Sequence, residues 1–399
     1  MVIVSLVVPV ALLLFEPSHS GMKTLWTPYQ QIHYEPEYTL SGEVRGGMLQ
    51  INHMYYQETL NLSPEFLARH PELGRESSYN RYNLPFRFAG SSPKVLIVGS
   101  GTGNDVAAAL RHNSMSVDAV EIDPAIIELG KREHPEHPYD SSRVIIHMDD
   151  ARSFLKRTNQ RYDLILFGLL DSHVQFSDYS NMQIDNFVYT EEAFREASRL
   201  LTPNGVIFVK FRINREWIGM RLSEILEQVF NTPPLVFAAE RNYTGGATCF
   251  VAGNGNHVND VLSTDQELAD FVHRNRVAAN AGTVPVTTDD WPYLYQQNRQ
   301  IPRTYYSVGL LVLFIAIAFH MSVKRTTQIS GRFSVFFFSM GVGFMLLETQ
   351  IISRSDLFFG TVWQVTGFVI SALLVTLLFA NLIAERMNPP LNRWTWAVY

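Results

Sequence analysis

Between residues 94 and 253, short apolar segments alternate with longer segments of mixed polarity. Apolar runs bounded by turn residues predict buried strands, and the periodic segments between them predict helices. Strands that alternate with helices are typical of a parallel sheet with helices on both faces. The predicted strands are Lys94–Gly99, Ser116–Asp123, Arg143–Met148, Tyr162–Phe167, Gly205–Phe211, Leu235–Ala239 and Thr248–Ala252; the predicted helices are Asp105–His112, Pro124–Arg132, Ala151–Arg157, Glu191–Leu201 and Glu216–Phe230.

The last two predicted strands flank a Gly245-Gly246 turn, which predicts an antiparallel hairpin at the end of the sheet. A doubly wound α/β sheet closed in this way resembles the seven-stranded Rossmann-like arrangement of class I S-adenosylmethionine enzymes. We predict this fold for residues 86–303. Upstream, short β-prone segments punctuated by glycines predict a small N-terminal β-hairpin subdomain within residues 23–85.

The last hundred residues contain three long stretches that carry almost no charge. Each can cross a bilayer as a helix, because a helix rises about 1.5 Å per residue and the hydrocarbon core is about 30 Å thick. We therefore predict a membrane domain with three helices in residues 304–399. The stretches are Thr304–Val323, Phe333–Ser353 (which contains Glu348) and Leu357–Ala384, with polar breaks at Lys324–Arg332 and Arg354–Asp356.

The first residues, Val2–Phe15, are apolar but short and contain Pro9. They lack the basic residues of a secretory signal and are too short for a complete span. Residues 1–22 are predicted to be a partial membrane segment. Two alternatives stay open: the tail of a longer membrane helix, in a fragment or a chain with a late start, and a short interfacial helix.

Composition excludes several classes of function. The 399 residues carry 32 Lys and Arg against 38 Asp and Glu, a net charge of −6, so a duplex nucleic acid partner is not predicted. Cys249 is the only cysteine, which excludes an internal disulfide, a cysteine-based zinc site and a redox pair. The run His134–Pro138 alternates His and Pro in a predicted loop, where we expect solvated side chains, and no metal is predicted.

Chemically suitable groups follow three successive predicted strands. Gly99, Gly101 and Gly103 lie between the first strand and a helix, where glycines let the backbone turn tightly and approach a ligand. Glu121 ends the second strand, where a carboxylate can accept hydrogen bonds from both ribose hydroxyls. Asp150 ends the third, where a carboxylate can accept one from an adenine amino group. The three positions together predict a site for an adenosine-bearing ligand, although each carboxylate alone could be a helix cap or a solvated loop residue.

Several segments resemble the spermidine synthase family of aminopropyltransferases from about Thr27 to Gly253. The segment Thr288–Tyr293 and the membrane stretch Gly343–Glu348 are similar to the membrane-anchored, spermidine-synthase-like proteins of bacteria. The segments that carry the family resemblance are VGSGTGND, VEIDP, MDDARSFL, YDLILF, NFVYTEEAF, LLTPNGVIF and the N-terminal Tyr29–Ile32 (YQQI).

The resemblance implies that S-adenosylmethionine or its decarboxylated form is a co-substrate, without a metal. It implies Gly99, Gly101 and Gly103 around the methionine part, Glu121 on the ribose, Asp150 with the adjacent Ala151 near the adenine, and Gln30 on the substrate side. Two positions depart from the family. Thr102 replaces the acidic residue that holds the amino group of the ligand, for which Asp105 could substitute unless it only complements the helix dipole. Gly168 replaces the first Asp of a D-x-x-D pair, which accepts the proton of the attacking amine.

The loop after the fourth strand contains the remaining candidates for catalysis. An amine acceptor is mostly protonated at neutral pH, so a carboxylate or neutral histidine must accept its proton. Asp171, which matches the second family carboxylate, and His173 are the predicted catalytic residues; a structural turn with a solvated His is the alternative. Other residues of the region could line a pocket for a cationic acceptor, namely Asp178, Tyr179, Asp185 and Tyr189. Thr190 is expected to cap the following helix.

Three functions stay open. The first is an aminopropyltransferase-like transferase of polyamine biosynthesis that uses decarboxylated S-adenosylmethionine and a small amine. The second is an S-adenosylmethionine-dependent methyltransferase, favoured by Thr102 and Gly168. The third is a non-catalytic membrane sensor of polyamines or nucleosides, or a transporter subunit, favoured by Glu348 inside a span. A homodimer is also open.

We expect a multi-pass protein in the lipid bilayer of a bacterial inner membrane, and two observations disagree about its orientation. Five positive residues flank the spans on the side away from the soluble domain and three on the domain's side, which by the positive-inside rule puts the domain outside the cytosol. S-adenosylmethionine is made in the cytosol, however, and the excess is small. We therefore predict a cytoplasmic soluble domain.

Overall fold

The computed structural model describes residues 22–52, 54–73, 79–169, 186–241, 243–277, 284–326 and 331–387. These residues form two sheets with surrounding helices, followed by three long apolar helices. The predicted partial membrane segment lies, apart from Met22, outside the described residues.

The N-terminal sheet is a four-stranded antiparallel meander rather than a single hairpin. Its strands, β1 (Lys23–Trp26), β2 (Gln31–Tyr38), β3 (Val44–Ile51) and β4 (Met54–Leu60), pair in chain order. Gly46 permits the close pairing of β3 with β4, because a Cβ there would lie 1.8 Å from the carbonyl oxygen of Thr59. Buried side chains of β2 and β3, including Ile32 and Leu49, cluster with Ile126 of the second domain.

The second sheet has seven strands in the order β10-β11-β9-β8-β5-β6-β7, which confirms the predicted doubly wound arrangement. Strands β5 to β9 pair in parallel, and β11 runs antiparallel to both β9 and β10. The central strands are buried on both faces, as continuous apolar runs require. The strands are β5 (Lys94–Val98), β6 (Ser116–Glu121), β7 (Val144–Met148), β8 (Tyr162–Phe167), β9 (Leu201–Phe211), β10 (Leu235–Ala238) and β11 (Thr248–Gly253).

Helices cover both faces of this sheet. Five of the described helices begin with a side-chain cap: Ser63 for α1, Asp123 for α4, Asp150 for α5, Asp265 for α9 and, as predicted, Thr190 for α6. The helices are α1 (Pro64–Arg69), α2 (Leu84–Phe88), α3 (Asn104–Arg111), α4 (Pro124–Glu133), α5 (Ala151–Arg157), α6 (Glu191–Arg199), α7 (Glu216–Phe230), α8 (His257–Thr264) and α9 (Gln266–Arg274).

Three C-terminal helices are long and apolar enough to span a membrane, as predicted: α10 (Arg303–Thr326), α11 (Gly331–Phe359) and α12 (Trp363–Met387). The predicted break at Arg354–Asp356 is wrong, because α11 continues through it. The helix ends at Gly360 instead, which has a φ of +92° and donates its N–H to the carbonyl oxygen of Asp356. Charged side chains do not interrupt a helical backbone, whereas a left-handed glycine does.

The domain of the seven-stranded sheet contacts the C-terminal part of the chain at two places. The buried guanidinium of Arg221 on α7 donates to the carbonyl oxygens of Pro285 (2.7 Å) and Leu294 (2.6 Å), in the segment that leads to α10. At the second place, the ammonium group of Lys156 on α5 donates to the carbonyl oxygen of Leu357 at 3.0 Å. The turn between α11 and α12 therefore packs against the carboxyl edge of the seven-stranded sheet.

Candidate functional site

The glycine loop lies between β5 and α3, at the point where the strand order of the sheet reverses. Gly99, Gly101 and Gly103 all have positive φ angles. A Cβ on Gly101 would lie 2.6 Å from Oε1 of Gln57, so the N-terminal sheet packs directly on the loop. The hydroxyl of Tyr139 donates to the carbonyl oxygen of Gly101 at 2.7 Å. The loop is thus a tight backbone turn at the switch point, where open α/β sheets bind ligands.

Glu121 ends β6 with its carboxylate against this loop. Oε2 accepts the N–H of Gly101 at 2.9 Å, and Oε1 accepts those of Ile122 (3.0 Å) and Asp123 (3.1 Å). Burial raises the pKa of Glu121 to about 7, although the three backbone hydrogen bonds favour the ionised form. The site therefore holds a carboxyl group that titrates near neutral pH.

Asp150 lies after β7 and is 3% exposed. Its Oδ1 accepts the N–H of Ser153, which makes it the cap of α5, where Ala151 is the first residue. Its Oδ2 accepts the hydroxyl of Thr361 at 2.8 Å, from the turn between α11 and α12. A Cβ on Gly360 would lie 2.6 Å from the Cβ of Asp150. The turn between α11 and α12 therefore covers the carboxylate that the resemblance assigns to the adenine.

Asp105 lies in the first turn of α3 and is buried with Lys210 of β9, to which it is ion-paired. Burial lowers the pKa of Lys210, against the effect of the carboxylate. Oδ2 of Asp105 is 3.8 Å from the position that a Cβ on Gly168 would take. The structure thus gives Asp105 a partner that neither sequence alternative included. It also brings this carboxylate close to the position of the missing family Asp.

A cavity opens between the glycine loop, the N-terminal sheet and β9. Three of its lining side chains are cationic, namely Arg81, Lys210 and Arg212, and several others are aromatic or amide groups. The lining residues are Tyr55, Tyr56, Gln57, Arg81, Tyr82, Gly99, Ser100, Gly101, Asn104, Asp105, Leu169, Lys210 and Arg212.

Two other predicted site residues are described, and neither lies in this lining. Nε2 of Gln30 donates to Oδ2 of Asp123 at 3.4 Å, next to Glu121. Tyr189 is fully buried among phenylalanines, and its hydroxyl donates to the carbonyl oxygen of Gly168 at 3.4 Å. Their roles in substrate binding stay predictions. The catalytic candidates Asp171 and His173, and the pocket candidates Asp178, Tyr179 and Asp185, lie outside the described residues.

The expectation of a solvated His-Pro run is wrong for His134, which is fully buried. Its Nε2 donates to Oδ1 of Asn104 at 3.1 Å, and its Nδ1 accepts the N–H of Glu136. Burial lowers the pKa of His134 to about 3, so the ring is neutral. In the part of the chain that the structure describes, no group of three or more His, Cys, Asp or Glu side chains could hold a metal ion.

Several residues that the sequence analysis did not single out line the site, among them Gln57, Arg81, Tyr82, Lys210 and Arg212. Gln57 and Arg81 precede the predicted sheet, and Lys210 lies inside an otherwise apolar strand. Of these residues, Lys210 is the one that the sequence could have indicated. A lysine near the end of a buried strand stands out, because its charge needs a buried partner.

Comparisons with known proteins show which proteins the middle of this chain is similar to. Residues 82–262 match the family model described as the spermine/spermidine synthase domain. The polyamine aminopropyltransferase of Sulfolobus acidocaldarius is 34% identical over 115 residues, which are 28% of this chain and 36% of that protein. The one from Buchnera aphidicola is 29% identical over 179 residues, 44% of this chain and 60% of that protein. The matched segments thus span from about a third to three fifths of these curated relatives.

Among solved structures, spermidine synthase from Thermotoga maritima matches over 73% of this chain and 88% of its own, with 16% identity and a TM-score of 0.46. The sheet order is the doubly wound arrangement that the sequence analysis predicts for this domain. Residues 82–262 are similar to the aminopropyltransferase family, as the sequence motifs predict.

Proposed function

We propose that this protein is a membrane-anchored transferase that moves an alkyl group from an adenosyl sulfonium donor to an amine. The position of the Glu121 carboxyl group carries the proposal. It is buried beside the Gly101 N–H at the switch point of the sheet, within reach of a ribose diol on the glycine loop. The names of the curated relatives supply the reaction type, since they are polyamine aminopropyltransferases.

The donor needs little acid or base catalysis from the protein, because its sulfonium sulfur is already positive and leaves as a neutral thioether. The acceptor amine must instead lose a proton before its nitrogen can attack. We assign this step to Asp171, with His173 as the second candidate, because both follow Gly168 at the carboxyl end of β8. Asp105 is less suited as the base, since its carboxylate is ion-paired with Lys210.

Two donors fit this framework. Decarboxylated S-adenosylmethionine with aminopropyl transfer is the donor that the relatives suggest. Methyl transfer from S-adenosylmethionine is the second candidate, and the site of Asp105 favours it. The family acid that would hold the donor's amino group is replaced by the buried Thr102, and Lys210 neutralises the nearby Asp105.

The experiment is to incubate the full chain, purified in detergent, with each donor and a panel of diamines and polyamines. Aminopropyl transfer releases methylthioadenosine, whereas methyl transfer releases S-adenosylhomocysteine. Glu121→Gln should weaken donor binding, and Glu128→Gln, an exposed glutamate on α4, is the matched control. If no adenosyl ligand binds the intact protein, the proposed function is wrong.

We propose that α10, α11 and α12 anchor the protein in the bacterial inner membrane with the soluble domain in the cytoplasm, where the donor is made. Cys249 is fully buried in β11, so a new thiol is required. Asn256 is exposed in the turn before α8 and suits an Asn256→Cys change in a Cys249→Ser background. The thiol should resist a membrane-impermeant reagent in intact cells and react after lysis. Labelling in intact cells would contradict this orientation.

A further inference from the structure

Among the described residues that line the cavity beside the glycine loop, positive charges outnumber negative ones. Lys210 and Asp105 are ion-paired and cancel one another. Arg81 and Arg212 are then in excess in the described lining. The nearby carboxyl group of Glu58 is not among the lining residues; burial raises its pKa, and Arg81, Arg45 and Arg212 oppose this effect. The described lining therefore has more positive than negative charge beside the predicted position of the donor.

Arg81 is the most informative of these residues, because it is 4% exposed. Its Nη2 donates to the hydroxyl of Tyr82 at 3.0 Å, and its guanidinium lies 4.9 Å from the centre of that ring. Its Nε is buried without a hydrogen-bond partner, and within the described residues Arg81 forms no ion pair. The carboxylate of Asp105 raises the pKa of Arg81 but is itself ion-paired with Lys210, so an anion that enters the cavity would be stabilised by the buried guanidinium.

Other hydrogen-bond donors lie on the same cavity wall. The side-chain amide of Gln57 lies against Gly101, and its Nε2 is buried without a partner. The guanidinium of Arg212 lies 5.9 Å from the ring centre of Tyr55. Guanidinium and amide groups that converge in one cavity form a suitable site for a carboxylate, which accepts hydrogen bonds and donates none.

The geometry points to a carboxylate site: the cavity binds the α-carboxylate of the amino-acid end of the donor, which is S-adenosylmethionine itself. This inference rests on the proposed function and specifies its donor. The decarboxylated donor ends in an ammonium group and carries two positive charges, both of which Arg81 and Arg212 repel. S-adenosylmethionine brings the negative group that these two arginines lack.

Two unreactive ligands test the inference without turnover. S-adenosylhomocysteine and its decarboxylated form, S-adenosyl-3-thiopropylamine, are both neutral at sulfur and differ only in the carboxylate. Calorimetry on the full chain in detergent should show that S-adenosylhomocysteine binds on the order of tenfold to a hundredfold more tightly, the range for a hydrogen bond to a charged group.

Variants assign the preference to the cavity. Arg81→Gln should reduce the affinity ratio of the two ligands toward one, and Arg81→Lys should keep part of it because the charge remains. Arg212→Gln is the second variant if Arg81→Gln fails to fold, and the exposed Arg215→Gln is the matched control that should keep the full ratio.

Equal affinities in the unmodified protein, or tighter binding of the decarboxylated ligand, would overturn the inference and leave the proposed function intact. Failure of both ligands to bind would refute the proposed function and this inference together.

Discussion

The buried carboxyl group of Glu121 should make donor binding depend on pH near neutrality. Its pKa is raised to about 7 from an ordinary value of 4.5, mainly by burial. The ionised form is the better acceptor for two ribose hydroxyls. Between pH 8 and pH 6 the ionised fraction falls about tenfold, and the affinity for S-adenosylhomocysteine should fall by the same factor.

The same shift affects stability in the opposite direction. Because the pKa of Glu121 is higher in the folded protein, the protonated group stabilises the fold. This contribution is fully present below about pH 4.5 and is lost as the pH rises through about 7. A pKa shift of this size corresponds to a change of about 3 kcal/mol in the free energy of unfolding. The ligand-free protein should lose stability over this range, and a bound ligand should protect it more at pH 8 than at pH 6.

The assay is calorimetry with S-adenosylhomocysteine from pH 5.5 to 8.5, in buffers of different ionisation enthalpy so that proton release is measured as well. Glu121→Gln cannot ionise, so its affinity should be lower and nearly independent of pH over this range. Glu128→Gln should retain the full pH dependence. An unmodified protein with the same affinity at pH 6 and pH 8 would refute this explanation of the Glu121 site.

Three further changes test other parts of the structure. Thr361→Val removes the hydroxyl that donates to Asp150, so calorimetry should show a several-fold gain in adenosine affinity. The hydroxyl of Thr376 bonds within α12, so Thr376→Val should leave the affinity unchanged. Arg221→Met removes charged donors from several buried carbonyls, which should lower the free energy of unfolding by about 3 kcal/mol or more. Unchanged denaturation and unchanged proteolysis of residues 284–297 would contradict the role of Arg221. Asp171→Asn removes the proposed proton acceptor, so kcat should fall on the order of a hundredfold at unchanged donor affinity; a full rate would exclude Asp171 as the base.

The turn between α11 and α12 connects these two apolar helices with the predicted adenine end of the site. Thr361 donates to Asp150, and the backbone of Trp363 lies near the hydroxyl of Tyr29 and lowers its pKa. Burial raises the pKa of Tyr29, and the carboxylates Asp123, Asp150 and Glu121 add to the effect, so the hydroxyl stays protonated among them. An adenosine ligand placed as the resemblance implies would meet residues from the membrane domain.

The local pattern of the sequence was sufficient for the elements and the chain order of the main sheet. Apolar runs and glycine turns are local signals, so the strands from Lys94 to Gly253 and the hairpin at β10 and β11 could be predicted within a few residues. The strand-end positions of Gly99, Glu121 and Asp150 followed from the same pattern, because parallel strands bring their carboxyl ends to one edge.

Which distant residues meet at that edge depends on the folded chain. Lys210 is 105 residues from Asp105, and Thr361 is 211 residues from Asp150; no local pattern encodes such pairs. The end of α11 was likewise decided by the left-handed backbone of Gly360 and not by the charges of Arg354 and Asp356. Propensity and burial pattern are local properties, so they were sufficient to predict where the elements form. The charge balance of the site arose only when folding placed Arg81, Arg212 and Lys210 in one cavity, because electrostatic interactions depend on distance in space.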